Sequence, residues 1–135
     1  MGTSHVERAM LLREKGCNCA QAVALAFQDD VDIDPVTLFK ITEGFGGGMG
    51  GYDGTCGAIS GAIAIISLVT SSGTVEQPTK AATYAKAKHM FDLFVQKNQS
   101  SVCKELRGLE TGKELRSCPG CIVDAVEIAC AVMGW

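Results

Sequence analysis

Ala58-Ile-Ser-Gly-Ala-Ile-Ala-Ile-Ile-Ser-Leu-Val69 is the longest apolar run in the chain, and its reading decides the fold. It reads as a buried helix capped by Thr55, although periodicity alone leaves a strand open for such a run. Ser60, Gly61 and Ser67 interrupt it, and it is too short to cross a bilayer. The flanking segments tip the balance towards helix. Upstream, Asp34 before Pro35 marks a helix start with proline at the first helical position. Leu38, Phe39 and Ile41 are expected to face inward from that helix until Gly44 ends it. Asn18 and Gln21 have capping-box spacing and open a helix through Phe27. Ser4 and Glu7 repeat the signal for a helix from Ser4 to Lys15, which Gly16 stops.

Downstream, Thr79 opens the longest helix, with Tyr84, Ala87, Phe91 and Phe94 at helical spacing. Ser101 begins a short turn that ends at Gly108. The last helix is expected from Pro119 to Met133, with Ile122, Val126, Ala129 and Met133 as its buried stripe. No alternating strand pattern competes. The expected fold is therefore all-α, an irregular bundle of five or six helices with a glycine-rich loop, in one domain over residues 1–135.

A chain of 135 residues lies in the usual range of a single domain, and at 47% apolar it can fill a core without disulfides. Its 20% charged residues argue against disorder, and its 6% aromatic content against an aromatic platform for nucleic acid. Net charge is −3 with lysines and arginines scattered singly, so neither nucleic acid nor a membrane is an expected partner. The charged stretch from His5 to Lys15 does not resemble a secretory leader, and the expected location is cytoplasmic.

Seven cysteines are many for such a chain, and the cytosol keeps thiols reduced. Metal ligation or thiol chemistry explains them better than disulfides, with burial as small hydrophobes the bland alternative. Four fall in the first turn of an expected helix: Cys19 after Asn18, Cys56 after Thr55, Cys103 after Ser101, and Cys118 between Ser117 and Pro119. Free amides and the positive end of the helix dipole favour a thiolate there. Such a thiolate serves as nucleophile or metal ligand. The four are far apart in sequence, so only tertiary folding can assemble them into one site. Cys118-Pro-Gly-Cys121 is the one CxxC, a candidate reversible disulfide with Cys118 and Cys121 as its working thiols. Cys17 and Cys130 read as bystanders, Cys130 in the core.

The glycine-rich stretch Gly44-Phe-Gly-Gly-Gly-Met-Gly-Gly-Tyr-Asp-Gly54 contains a formal GxGxxG at Gly46, Gly48 and Gly51. A dinucleotide site needs a strand before it, and a helix precedes it here. A flexible connector is one reading. The other is that Gly46, Gly47 and Gly48, with Gly57, let backbone amides approach a bound group beside Cys56. Asp53 is a candidate proton donor or merely a polar loop residue. His5 and His89 are expected at the surface. Without CxxCH, covalent haem is not expected.

Gly16-Cys-Asn-Cys-Ala-Gln-Ala-Val23, Phe45-Gly-Gly-Gly-Met-Gly50, Thr55-Cys-Gly-Ala-Ile-Ser-Gly-Ala62, Cys103-Lys-Glu-Leu-Arg-Gly108 and Ser117-Cys-Pro119 resemble, in order, the segments of the C_GCAxxG_C_C family of redox-active proteins. The resemblance implies a helical redox domain of anaerobic bacteria and archaea, related to a domain of split-Soret cytochromes that contain haem and an iron–sulphur cluster. It marks Cys19, Cys56, Cys103 and Cys118 as the family cysteines. The leading expectation is a small redox or electron-transfer protein whose four family cysteines bind an iron–sulphur cluster or another metal. The alternatives are a thiol–disulfide oxidoreductase using Cys118 and Cys121, or a non-catalytic module with structural zinc. The expected partner is a redox protein or a small molecule, and a homodimer is left open.

Overall fold

The computed structural model describes residues 2–135. These residues form α1 (Gly2–Glu14), α2 (Cys19–Ala26), α3 (Pro35–Glu43), α4 (Gly46–Met49), α5 (Gly57–Thr70), α6 (Lys80–Asn98), α7 (Cys103–Arg107) and α8 (Cys118–Met133), with a 3-10 turn at Gln28–Asp30. No strand occurs among the described residues. Their closest approach to a sheet is an isolated antiparallel bridge between Thr55 and Val102. The all-α expectation holds, and the two extra elements are the short α7 and α4, the latter a glycine turn with left-handed Gly47 and Gly48.

Helix α2 is the axis of the bundle, in contact with α1, α3, α5 and α8. All its residues except Leu25 are buried, and half are alanines. Small side chains let the neighbouring helices close in from several directions. Gly61 of α5 continues that logic. A Cβ there would stand 3.1 Å from the Ala20 Cα and closer still to the Ala20 carbonyl, so α2 and α5 touch backbone to backbone. Ile59, Ile65 and Ile66 of the same helix are fully buried, so the apolar run is a core helix as expected. Each such side chain contributes about 1.5–3 kcal/mol by leaving water.

Two local expectations are corrected by packing. Ser4 lies inside α1 rather than at its start. On α3 the buried residues are Leu38 and Thr42, one turn apart, while Phe39 is 39% and Ile41 54% exposed. Thr42 tolerates the core because its hydroxyl donates to the Leu38 carbonyl at 2.7 Å. On α6 the buried face is Met90, Phe94 and Asn98, leaving Tyr84 67% exposed. In both helices only one narrow face meets α2, α5 or α8. Apolar residues beyond it stay in water, which is common on protein surfaces.

The expected surface position of His5 is also wrong: it is 4% exposed. Its ring stacks on Phe27 at 4.5 Å, and its Nε2 lies 2.7 Å from Asp30 Oδ2. Its Nδ1 faces Cys130 Sγ at 3.8 Å, which places Cys130 in the core as expected. A polar ring accepts burial when both nitrogens find partners. His89 is exposed, as expected. No helix among the described residues is long and apolar enough to cross a membrane.

Candidate functional site

Four local devices carry the cysteines to one place. Asn18 closes a full capping box with Gln21, its Oδ1 accepting from the Gln21 amide at 2.9 Å, and Cys19 follows as the first residue of α2. Asn18 Nδ2 also donates to the Glu43 carbonyl at 2.9 Å, which ties this corner to the end of α3. Ser117 caps α8 by accepting from the Gly120 amide at 3.0 Å, and Cys118 is the first helical residue. Cys103 opens α7. Cys56 is itself the cap residue of α5; the expected cap, Thr55, instead sits in the bridge to Val102.

That bridge joins the second and third cysteines. The Cys56 amide donates to the Ser101 carbonyl at 2.7 Å, and the Cys103 amide to the Gly54 carbonyl at 3.0 Å. The fourth arrives through α7. The Leu106 carbonyl accepts from the amides of Leu115 and Arg116 at 2.8 and 3.1 Å, laying the approach to Cys118 against the third cysteine segment. Cys121 follows one turn into α8. Gly120 between them leaves room for Arg116, whose Nε would be 2.5 Å from a Cβ there. Arg116 crosses that space to reach Asp124.

The result is one cavity of about 200 Å³ lined by Cys19, Cys56, Cys103, Cys118 and Cys121, with Gly47, Asn18, Leu106, Tyr52 and Arg107 completing its wall. Larger clefts of about 540 and 480 Å³ beside α5 contain no cysteine. Cys17 and Cys130 do not line the cavity either. All seven thiols are free. Cys118 is half-buried, and the other four cavity thiols are buried.

The glycine stretch is more ordered than a connector. Gly47, Gly48, Met49 and Gly50 have φ of 61°, 58°, 63° and 85°, one left-handed turn. It brings Gly48 so close to Cys103 that no side chain fits between them. The Gly47 amide faces Cys19 and favours its thiolate. Gly57 backs Cys19 from the other side, where a Cβ would meet Sγ at 2.5 Å. Gly46 packs on the Asn18 side chain and does not line the cavity. Asp53 points outward to Lys104 at 3.1 Å, with 81% of its side chain exposed, so it is a polar loop residue and reaches no thiol.

Inside the cavity the thiols meet in pairs. Cys19 donates to Cys118, and this contact holds Cys118 down to about 6, helped by the positive charges of Arg13 and Arg107 against the penalty of burial. The same contact and burial push Cys19 up. Cys121 donates to Cys56, which lowers Cys56 and raises Cys121. The Ala58 and Ile59 amides at the start of α5 also favour a Cys56 thiolate, although neither completes a cap hydrogen bond. Cys103 has no thiol partner of this kind; burial and the charge on Cys56 raise it, while Arg107 opposes them. The CPGC cysteines therefore face different partners rather than each other.

Among the described residues no group of three or more cysteine, histidine or carboxylate side chains is arranged to hold a metal ion. Two groups that bear on the site carried no legible signal in the sequence. Arg13 lies on the exposed side of α1, and Tyr52 joins the wall through backbone geometry, its φ of 69° being unusual for a side-chain-bearing residue. Neither a curated protein nor a solved structure matches the chain. The sequence profile of the family described as "Putative redox-active protein (C_GCAxxG_C_C)" matches residues 17–132, which include every cavity cysteine, and the chain belongs to that family.

Proposed function

We propose that the protein is a thiol-based redox carrier that cycles between a dithiol and a disulfide, with Cys118 as the attacking thiolate and Cys19 as the resolving thiol. One observation carries this reading: half-buried Cys118 and buried Cys19 line the same cavity, where the Cys19 thiol favours a thiolate on Cys118. The Cys118 thiolate attacks one sulphur of a substrate disulfide, the substrate S–S bond breaks, and a mixed disulfide forms with release of one thiolate. Cys19 then loses its proton and attacks the Cys118 sulphur. The Cys19–Cys118 disulfide forms and the second substrate thiolate leaves. The dithiol loses two electrons, and the substrate is reduced to two thiols. Buried Cys56 and Cys121 form a second pair behind the first.

The measurement is trapping. With a small disulfide, Cys19→Ser should accumulate a mixed disulfide at Cys118, read as an added mass on that peptide, whereas Cys121→Ser should not. Equal release of both substrate thiols by Cys19→Ser and by the unaltered protein would sink the assignment.

A second reading is favoured by the donor set. Five sulphurs and no carboxylate or imidazole line the cavity, and backbone amides and side-chain-free glycines stand against them. Cys19, Cys56, Cys103 and Cys118 would be the ligands of an iron–sulphur cluster, which would supply one-electron transfer. The sulphur chemistry suits such a cluster, whereas the pairwise arrangement does not gather three donors for a metal ion. Stoichiometric iron and acid-labile sulphide in anaerobically purified protein would establish this reading over the first.

A further inference from the structure

Two exposed arginines act on Cys118 with no carboxylate to answer them. Arg107 lines the cavity, and its guanidinium lies 5.1 Å from the Tyr52 ring centroid. Arg13, on α1, reaches the Cys118 sulphur. Both are exposed, and neither forms an ion pair among the described residues. The other two arginines of the chain are neutralised: Arg8 meets Asp29, and Arg116 meets the buried Asp124. Acids outnumber bases, 15 to 12, so unpaired arginines here do not reflect a shortage of carboxylates. No Asp or Glu lines the cavity.

We infer that the site is built for a small anionic disulfide, a carboxylate-bearing thiol carrier in its oxidised form, with Arg13 and Arg107 as the groups that hold its negative charge. This rests on the dithiol reading of the site. About 200 Å³ admits a disulfide sulphur with its adjoining methylenes, not a folded chain. The charged ends of the ligand then remain at the mouth, where guanidinium groups present paired donors to carboxylates. The ligand's sulphur is delivered to Cys118, and its two electrons come from the Cys19–Cys118 dithiol as described above.

The test uses reduced protein under anaerobic conditions, with Cys17→Ser removing the other half-exposed thiol. Rates of Cys118 modification are compared for dithiobis(nitrobenzoate), a dianion, dithiodipyridine, which is neutral, and cystamine, a dication. Each is divided by its rate with the urea-unfolded chain. The folded protein should favour the dianion over the neutral reagent by about tenfold at low ionic strength, and disfavour cystamine. Salt should erode the preference. Arg13→Gln with Arg107→Gln should abolish it, and Arg107→Lys should retain part of it. Because removing the arginines also alters the thiolate fraction, the ratio of dianion to neutral reagent is the deciding quantity. A ratio equal to that of the unfolded chain, a ratio unchanged by the double variant, or a Cys118 inert to all three reagents would overturn the proposal. Failure of the dithiol reading shows separately, as anion-selective labelling of Cys118 that never proceeds to a Cys19–Cys118 disulfide.

Discussion

Cys118 combines the two properties that make a thiol reactive, access and a stabilised anion. It is half-buried, and the Cys19 proton, Arg13 and Arg107 hold it down to about 6. The thiolate is the nucleophile, so the pH dependence has a definite sign. Modification of Cys118 by a neutral disulfide should be flat above about pH 7 and fall about tenfold per unit well below pH 6. Cys19→Ser weakens the strongest of these influences and should move the midpoint upward. A profile rising through pH 8.5, the ordinary range of a free cysteine, would mean that the contact with Cys19 does not exist in solution. Caps are short-range devices, so Asn18 and Ser117 made the helix-start positions of Cys19 and Cys118 readable from neighbouring residues. The pairing was not readable, because Cys19 and Cys118 are separated by most of the chain. His5 was misread for the same reason: its partners Asp30 and Cys130 lie on other elements.

The elements were more legible than their faces. Helix starts at Asp34 and Ser117 agree with the structure, since a side-chain oxygen accepting an amide is a local event. Which residues turn inward depends on the neighbouring helix, and there Phe39 and Ile41, expected to face inward, stand in water. The close contact of α2 and α5 gives the sharpest prediction at this scale. Gly61→Ala places a methyl against the Ala20 backbone, which cannot swing aside as a side chain could. The two helices must separate, at a cost of about 1–3 kcal/mol. Because Cys19 starts α2 and Cys56 caps α5, the same displacement should slow disulfide formation between Cys19 and Cys118. Denaturant unfolding followed by far-ultraviolet dichroism measures the first effect, and trapping by a small disulfide the second. Unchanged stability would mean that the helices do not approach so closely.

Across the whole molecule, Asp124 is the main polar anchor of α8. Its side chain is fully buried and meets Arg116 at 2.9 and 3.1 Å, Lys97 at 2.7 Å and Asn98 at 3.1 Å. Burial alone would raise its pKa, but Arg116, Lys97 and Asn98 outweigh that and hold it below the usual carboxylate range. A depressed carboxylate contributes stability above the unfolded pKa of about 3.9, which is lost as pH falls through the lower folded value. Asp124→Asn should cost about 1–3 kcal/mol at neutral pH and flatten the loss of stability below about pH 4. Thermal melts of both proteins from pH 2.5 to 7 would check this, and parallel curves would refute it.

The sequence by itself determined the helical class, the order of the main helices and the placing of cysteines at their starts. Those properties depend on contacts within one or two turns, such as caps, proline positions and apolar spacing. Tertiary structure decided which cysteines share a wall, that Cys118 faces Cys19 while Cys121 faces Cys56, and that Arg13 and Arg107 stand beside Cys118. These are contacts between distant segments. They are set by how closely α2 and α5 can pack and by the hydrogen bonds joining residues 54–56 to residues 101–103. Spacing along one chain carries no measure of either.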